Sequence, residues 1–131
     1  MAFNVNVSAL LGMLACIALP AAVLACTPGD PVRGAKIYER CFACHAIERD
    51  RTGPRHAGLI GRVAGSIPNF PYSAVMKKAG AAGLVWSDDS LDKFLENPVK
   101  FLPGTRMGYA GIKDRQERAD LIAYLKQATG P

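Results

Sequence analysis

Apolar residues recur at helical spacing in several separate stretches of this chain. Ala119, Leu121, Ile122, Leu125 and Ala128 make the clearest stripe. A repeat of three to four residues marks a helix with one buried face. Asp114, with Glu117 three residues on, has the pattern of a capping box at its start, and Gly130 ends it. A first helix is predicted from Asp30 as N-cap and Pro31 at the first helical position. It should run to about Ala43, with Gly34, Ile37, Tyr38 and Cys41 on one face. A glycine inside a helix is unfavourable by about 1 kcal/mol relative to alanine. Gly34 therefore predicts a close approach by another backbone.

A middle helix is expected from Ser87, with Asp88 and Asp89 in its first turn, where the helix dipole favours acids. It should continue through Leu91, Phe94 and Leu95 to Asn97, and Pro98 should stop it. A short helical turn fits residues 73–78. Between the helices lie the glycine- and proline-rich stretches 52–71 and 102–112, which show no alternating strand pattern. The expected class is all-α. A loop of about twenty residues is unusual in a compact domain unless something organises it. A large buried ligand would do so.

Composition divides the chain. Its 131 residues suit one domain. Residues 1–29 carry no charged side chain, so the net charge of +5 belongs entirely to residues 30–131. Ala9 to Ala25 is apolar and interrupted by Pro20, with small residues before Cys26. Residues 1–25 read as a secretory leader, with a retained N-terminal membrane anchor as the alternative. Lipidation at Cys26 is a third reading, although Leu24 stands where a small residue is expected. Cys16 reads as filler within the apolar run. Residues 26–131 would form the folded domain. Its basic balance suits an acidic partner or an anionic membrane surface, and no nucleic acid is expected.

The chemistry sits in Cys41-Phe-Ala-Cys44-His45. Thiols three residues apart share a helical face. They can add to two neighbouring vinyl groups of one porphyrin, and His45 can then place a ring nitrogen under its iron. C-x-x-C-H is a signal for c-type haem attachment. A zinc site would need four ligands, and only His56 and scattered acids are available to complete it. A redox dithiol belongs in a βαβ unit, and no strand precedes this helix. A thiol-disulfide oxidoreductase using Cys41 and Cys44 is the best rival to haem attachment.

The sixth iron position separates a carrier from a haem enzyme or ligand sensor. Met107 lies in Leu-Pro-Gly-Thr-Arg-Met-Gly, a polar, glycine-flanked loop that suits an axial ligand better than a core position. Thioether ligation favours ferrous iron. With histidine it fills both axial sites and leaves substrate no place to bind.

These stretches together resemble a class I cytochrome c of the small single-domain type. The resemblance rests on Cys41 to His45, 52-TGPRHAGLIGRVAG, 94-FLENPVKFLPGTRMGYAG and 120-DLIAYLKQATG, and 79-AGAAGLVW looks like the bacterial branch. It implies the cytochrome c fold, with helices and loops wrapped around one haem c attached through Cys41 and Cys44. It implies that Pro54 accepts a hydrogen bond from the ligand histidine through its carbonyl. Trp86 and Tyr72 resemble a pair that bonds a buried haem propionate, Arg62 the arginine that balances its charge, and Thr105 the threonine beside the methionine loop. Gly34, Tyr38, Leu121 and Tyr124 resemble the crossing contact of the terminal helices. Phe94 and Met76 depart from the family by removing polar groups near the haem. His56 lies beside the family's loop histidine position and reads as a surface residue.

The resemblance further implies a monomeric periplasmic one-electron carrier, either free or tethered through an uncleaved leader or lipidated Cys26. Its donor would be a membrane quinol–cytochrome c reductase. Its acceptor would be a terminal oxidase or a photosynthetic reaction centre. Lys36, Arg40, Lys77, Lys78, Lys100, Arg106 and Lys113 are candidates for a basic docking ring.

Overall fold

The computed structural model describes residues 27–130. The leader or anchor expected at 1–25, and Cys26, lie outside them. No helix among the described residues is long and apolar enough to cross a membrane.

The first helix, α1 (Pro31–Tyr38), starts where Asp30 accepts from the backbone N–H of Val32 and Arg33. Its α-geometry ends earlier than the expected Ala43. A 3-10 turn, Glu39–Cys41, follows, and then an irregular turn. The helical hydrogen bonding survives locally, because Cys44 N–H and His45 N–H both donate to the Cys41 carbonyl, at 3.1 and 2.8 Å. The tighter turn leaves Cys44 exposed and carries His45 inside.

Helix α2 (Ala74–Ala81) is longer than the turn predicted at 73–78, and Ser73 caps it. Helix α3 (Asp88–Glu96) begins at Ser87 as expected, with a reciprocal capping box to Ser90. Pro98 ends α3 but also begins a helix of its own, α4 (Pro98–Phe101). Asn97 makes this possible by accepting from Lys100 N–H at 3.1 Å, and proline suits a first helical turn. Helix α5 (Arg115–Thr129) is capped by Asp114, which accepts from Glu117 N–H. The Glu117 carboxylate does not return the bond; it grips Arg40 at 2.8 and 3.0 Å.

Helices α1 and α5 cross in near backbone contact. A Cβ on Gly34 would lie 2.0 Å from the Asp120 carbonyl oxygen and 2.7 Å from Tyr124 Cβ. The close approach expected from Gly34 is therefore present. Tyr38 and Leu121 are almost fully buried beside it, and the Tyr38 and Tyr124 rings lie 5.1 Å apart. The core joins these residues to Ile37, Leu91, Phe94, Leu95, Ile122 and Leu125. Met76 also lies in the core, and Phe94 packs on Trp86 and Phe101.

Two buried charges tie this core together, and hydrophobic periodicity could not reveal either. Asp120 accepts from Asp30 N–H at 2.8 Å, Gln116 at 3.0 Å and the Arg33 guanidinium at 2.7 Å. Arg118 donates to Asp92 at 2.7 Å and to the Ile112 carbonyl at 2.9 Å, joining α5 to α3 and to the chain before α5.

The 52–71 stretch is organised by backbone bonds to residues 84–86 and to the end of α5. Gly61 N–H donates to the Trp86 carbonyl, Trp86 N–H returns a bond to Arg62, and Ala64 N–H donates to Leu84. Val63 and Val85 form an isolated antiparallel bridge. Gly58 N–H reaches the Thr129 carbonyl at the end of α5. The loop thus does not depend on a ligand alone for its shape. Glycines with left-handed backbone at 58, 61 and 65 allow these reversals.

The Arg33 hydrogen bond, reinforced by those from Asp30 and Gln116, holds the Asp120 carboxyl well below its ordinary value of 3.8. A carboxyl depressed in the folded state stabilises above its unfolded pKa and loses that contribution as pH falls toward the folded value. Asp120→Asn should lower stability by about 1–3 kcal/mol at neutral pH. The gap from wild type should narrow below pH 3.8, as denaturant titrations across pH would show.

Candidate functional site

The site is built on the turn after α1 and the first part of the 52–71 loop. His45 is 8% exposed. Its Nδ1 lies 2.7 Å from the Pro54 carbonyl oxygen. A carbonyl only accepts, so Nδ1 carries the proton and donates. In the neutral ring Nε2 then keeps its lone pair. Burial pushes the His45 pKa down, and the bond to Pro54 opposes this only partly. The side chain is thus held as the neutral tautomer that a metal binds through Nε2.

The loop returns onto the turn through backbone bonds. Gly53 N–H donates to the Cys44 carbonyl at 2.7 Å, and Ala57 N–H to Ile47 at 2.7 Å. A Cβ on Gly53 would lie 2.4 Å from His45 Cε1 and 2.7 Å from both Nδ1 and Nε2. Only a residue without a side chain fits against that ring.

His56, expected at the surface, is half-buried. Its ring stacks on His45 with centroids 4.2 Å apart and planes 21° from parallel. Its Nδ1 is hydrogen-bonded to the Tyr38 hydroxyl at 2.9 Å. Burial first, then the proximity of His45 and Arg62, pushes its pKa down to about 3. The return of the loop onto the turn after α1 produces this burial. Local sequence around His56 is rich in glycine and charge and carried no sign of it.

Cys41 is half-buried and Cys44 exposed, and both are free thiols. Burial pushes the Cys41 pKa up to about 11, against the pull of Arg40. A reactive dithiol needs a lowered thiol pKa, so this environment argues against the oxidoreductase reading. Among the described residues no group of three or more His, Cys, Asp and Glu could hold a metal ion, which removes the zinc alternative there.

Arg62 is half-buried and clasps its own loop, donating to the Ala57 carbonyl at 2.8 Å and to Arg55 at 3.0 Å. Burial pushes the Arg62 pKa down, and the nearby Tyr72 opposes this only partly. Burial raises the Tyr72 pKa, and Arg62 lowers it in return. Trp86 is 7% exposed and packs its ring 5.0 Å from Phe94. Trp86 belongs to the core cluster, and Cys41, Tyr72 and Met107 pack against that same cluster.

Met107 is half-buried, with its N–H 3.4 Å from Thr105 Oγ1. Its loop is pinned at several points. Thr105 N–H donates to Leu102, Arg106 donates to the Pro71 carbonyl at 2.9 Å, and Ile112 N–H donates to Leu95 at 2.8 Å. Gly111 lies so close to α3 that a Cβ would sit 2.2 Å from the Glu96 carbonyl oxygen.

A family profile described as Cytochrome c matches residues 31–129. This chain belongs to the cytochrome c family. A cytochrome c2 from Afifella marina is 47% identical over 102 residues, covering 75% of this chain and 82% of that protein. A cytochrome c from Euglena viridis is 46% identical over 101 residues, covering 75% of this chain and 96% of the relative. The solved structure of cytochrome cH from Methylobacterium extorquens aligns with a TM-score of 0.71 at 38% identity, covering 76% of this chain and 99% of that one. The chain is thus a class I c-type cytochrome with the all-α cytochrome c fold. Family membership supports an electron-carrier role and implies a covalently bound haem c. The residues present fit that group: two free thiols, a buried imidazole with Nε2 unprotonated, and a thioether in a pinned loop beside the same core.

Gly53→Ala should drive a methyl group into the His45 ring. Stability should fall by about 1–3 kcal/mol, the usual range for overpacking. A lower denaturant midpoint with an unchanged slope is the expected result.

Proposed function

We propose that this cytochrome is a periplasmic one-electron carrier whose haem iron is held by His45 and Met107. The observation that carries the reading is the Nδ1–H bond of His45 to Pro54, which commits one ring nitrogen and leaves the other for iron, next to the cysteine pair. Haem c, when bound, supplies a reversible ferric/ferrous couple. Cys41 and Cys44 hold the macrocycle through thioethers. Pro54 fixes the tautomer of His45 and increases its basicity. Met107 would supply a thioether ligand to the iron, and Thr105 and Arg106 would keep its loop from swinging away. Arg62, Tyr72 and Trp86 would hold a haem propionate, the arginine offsetting its charge and the tyrosine and indole offering hydrogen-bond donors. Ligands held this rigidly change little between oxidation states, so electron transfer requires little rearrangement.

The apolar leader supports export to the periplasm. The donor is a membrane quinol–cytochrome c reductase. The acceptor is a terminal oxidase or a photosynthetic reaction centre, met by a monomeric carrier. Lys36, Lys77, Lys78 and Lys100 are exposed and steer docking onto acidic partner surfaces. Of the other basic candidates, Arg40 is paired with Glu117, Lys113 donates to the Glu96 carbonyl and Arg106 to Pro71. They contribute charge from tethered positions.

Mass spectrometry of denatured protein from a host competent in cytochrome maturation should show haem still attached, and Cys44→Ala should lose one thioether. A mass with no haem would return the chain to the dithiol reading. The ferric protein should show the far-red sulfur-to-iron absorption band, and Met107→Leu should abolish it. Persistence of the band in that variant would remove Met107 as ligand. Lys77→Glu with Lys100→Glu should slow reduction by a quinol–cytochrome c reductase about tenfold at low salt, with the difference fading as salt rises.

A further inference from the structure

We propose that His56, held by Tyr38, is a positioning residue that sets the plane of the His45 imidazole at the iron. The inference rests on the reading of His45 as axial ligand and adds to it a restraint that the Pro54 bond cannot supply. That bond pins one ring atom, Nδ1, to one oxygen. A ring pinned at a single atom can still pivot about that contact. The nearly parallel His56 ring, 4.2 Å away, opposes the pivot, because tilting His45 would drive its edge into the neighbouring ring. Gly53 further limits the room around His45 with its backbone.

A stacked ring restrains its neighbour only if it is itself fixed. His56 is fixed at both ends. Its backbone N–H donates to the carbonyls of Ala46 at 3.0 Å and Ile47 at 3.1 Å, directly after the ligand residue. Its side chain is bonded to the Tyr38 hydroxyl at 2.9 Å. Tyr38 has no exposed surface and is wedged between Phe42, 5.2 Å away edge-on, and Tyr124, 5.1 Å away. A rigid line therefore runs from α5 through Tyr124, Tyr38 and His56 to His45. If the pocket beside His45 merely needed filling, an aliphatic side chain would do so without burying polar nitrogen. An imidazole there has a specific use for the buried Tyr38 hydroxyl, whose hydrogen-bond partner among the described residues is His56.

The test uses the full chain carrying haem. Proton hyperfine shifts of the haem methyl groups in the ferric protein, together with its electron paramagnetic resonance g values, report the orientation of axial ligand planes. His56→Leu should change the spread of the methyl shifts. Tyr38→Phe, which conserves volume and removes one oxygen, should move them in the same direction by less. The double variant should match His56→Leu, because Tyr38 acts through His56. If His56→Leu fails to load haem, Tyr38→Phe decides alone. Wild-type shifts in Tyr38→Phe, with only a lowered melting temperature, would overturn the inference and leave the pair as packing. A wild-type protein without thioether-bound haem would overturn the underlying reading, and the inference with it. Haem-loaded variants with unmoved shifts overturn the inference alone.

Discussion

The near contact of α1 with α5 is the constraint on which the rest of the molecule depends. Two helices can approach until a carbonyl of one meets the Cα of the other only where the second has no side chain, and Gly34 is that place. Gly29 repeats the device just before α1, where a Cβ would lie 2.1 Å from the Ala119 carbonyl oxygen. Asp120 then locks the pair from below with bonds to Asp30 and Arg33. The arrangement brings together segments about ninety residues apart in the chain, so loop-closure entropy opposes it. Burial of Ile37, Tyr38, Leu121, Ile122 and Leu125 offsets that entropy.

The site hangs from this crossing. Helix α1 ends at Tyr38 and the thiols follow three and six residues later, so whatever fixes α1 also fixes the base of the turn that carries them. Tyr38 belongs to both systems: its ring packs on Tyr124 of α5, and its hydroxyl reaches His56 beside His45. On the other side of the chain, Arg118 ties α5 to α3, and Ile112 N–H ties the methionine loop to the end of α3. The two candidate axial residues are thus carried by segments anchored to the same helix, α5 or its partners. This anchoring gives the rigidity an electron carrier needs.

Arginine side chains serve the loops as well as the helices. Arg62 spends its guanidinium on carbonyls of its own loop, and Arg106 on Pro71. Backbone segments without regular structure must satisfy their hydrogen-bonding groups by other means. Here side-chain donors do so, together with backbone bonds such as Gly61 N–H to the Trp86 carbonyl and Trp86 N–H to the Arg62 carbonyl.

Helix existence and type were legible in the residues because amphipathic spacing, caps and stops are local properties. Asp30, Ser87 and Asp114 each cap the helix expected of them. The family was equally legible, since the motif at Cys41 to His45 places its residues next to one another in the chain. Gly34 announced a contact, because a glycine within a helix is unfavourable unless something needs the space. Boundaries were less so: α1 tightens at Glu39, and Pro98 opens a helix where it was expected only to close one. A proline's local effect depends on whether a cap such as Asn97 stands before it. Only tertiary structure decided the place of His56, the burial of Asp120 and Arg118, and the pairing of the 52–71 loop with residues 84–86 and 129. Each depends on a partner far along the chain, and no pattern of neighbours encodes which distant carbonyl, ring or carboxylate a side chain will meet.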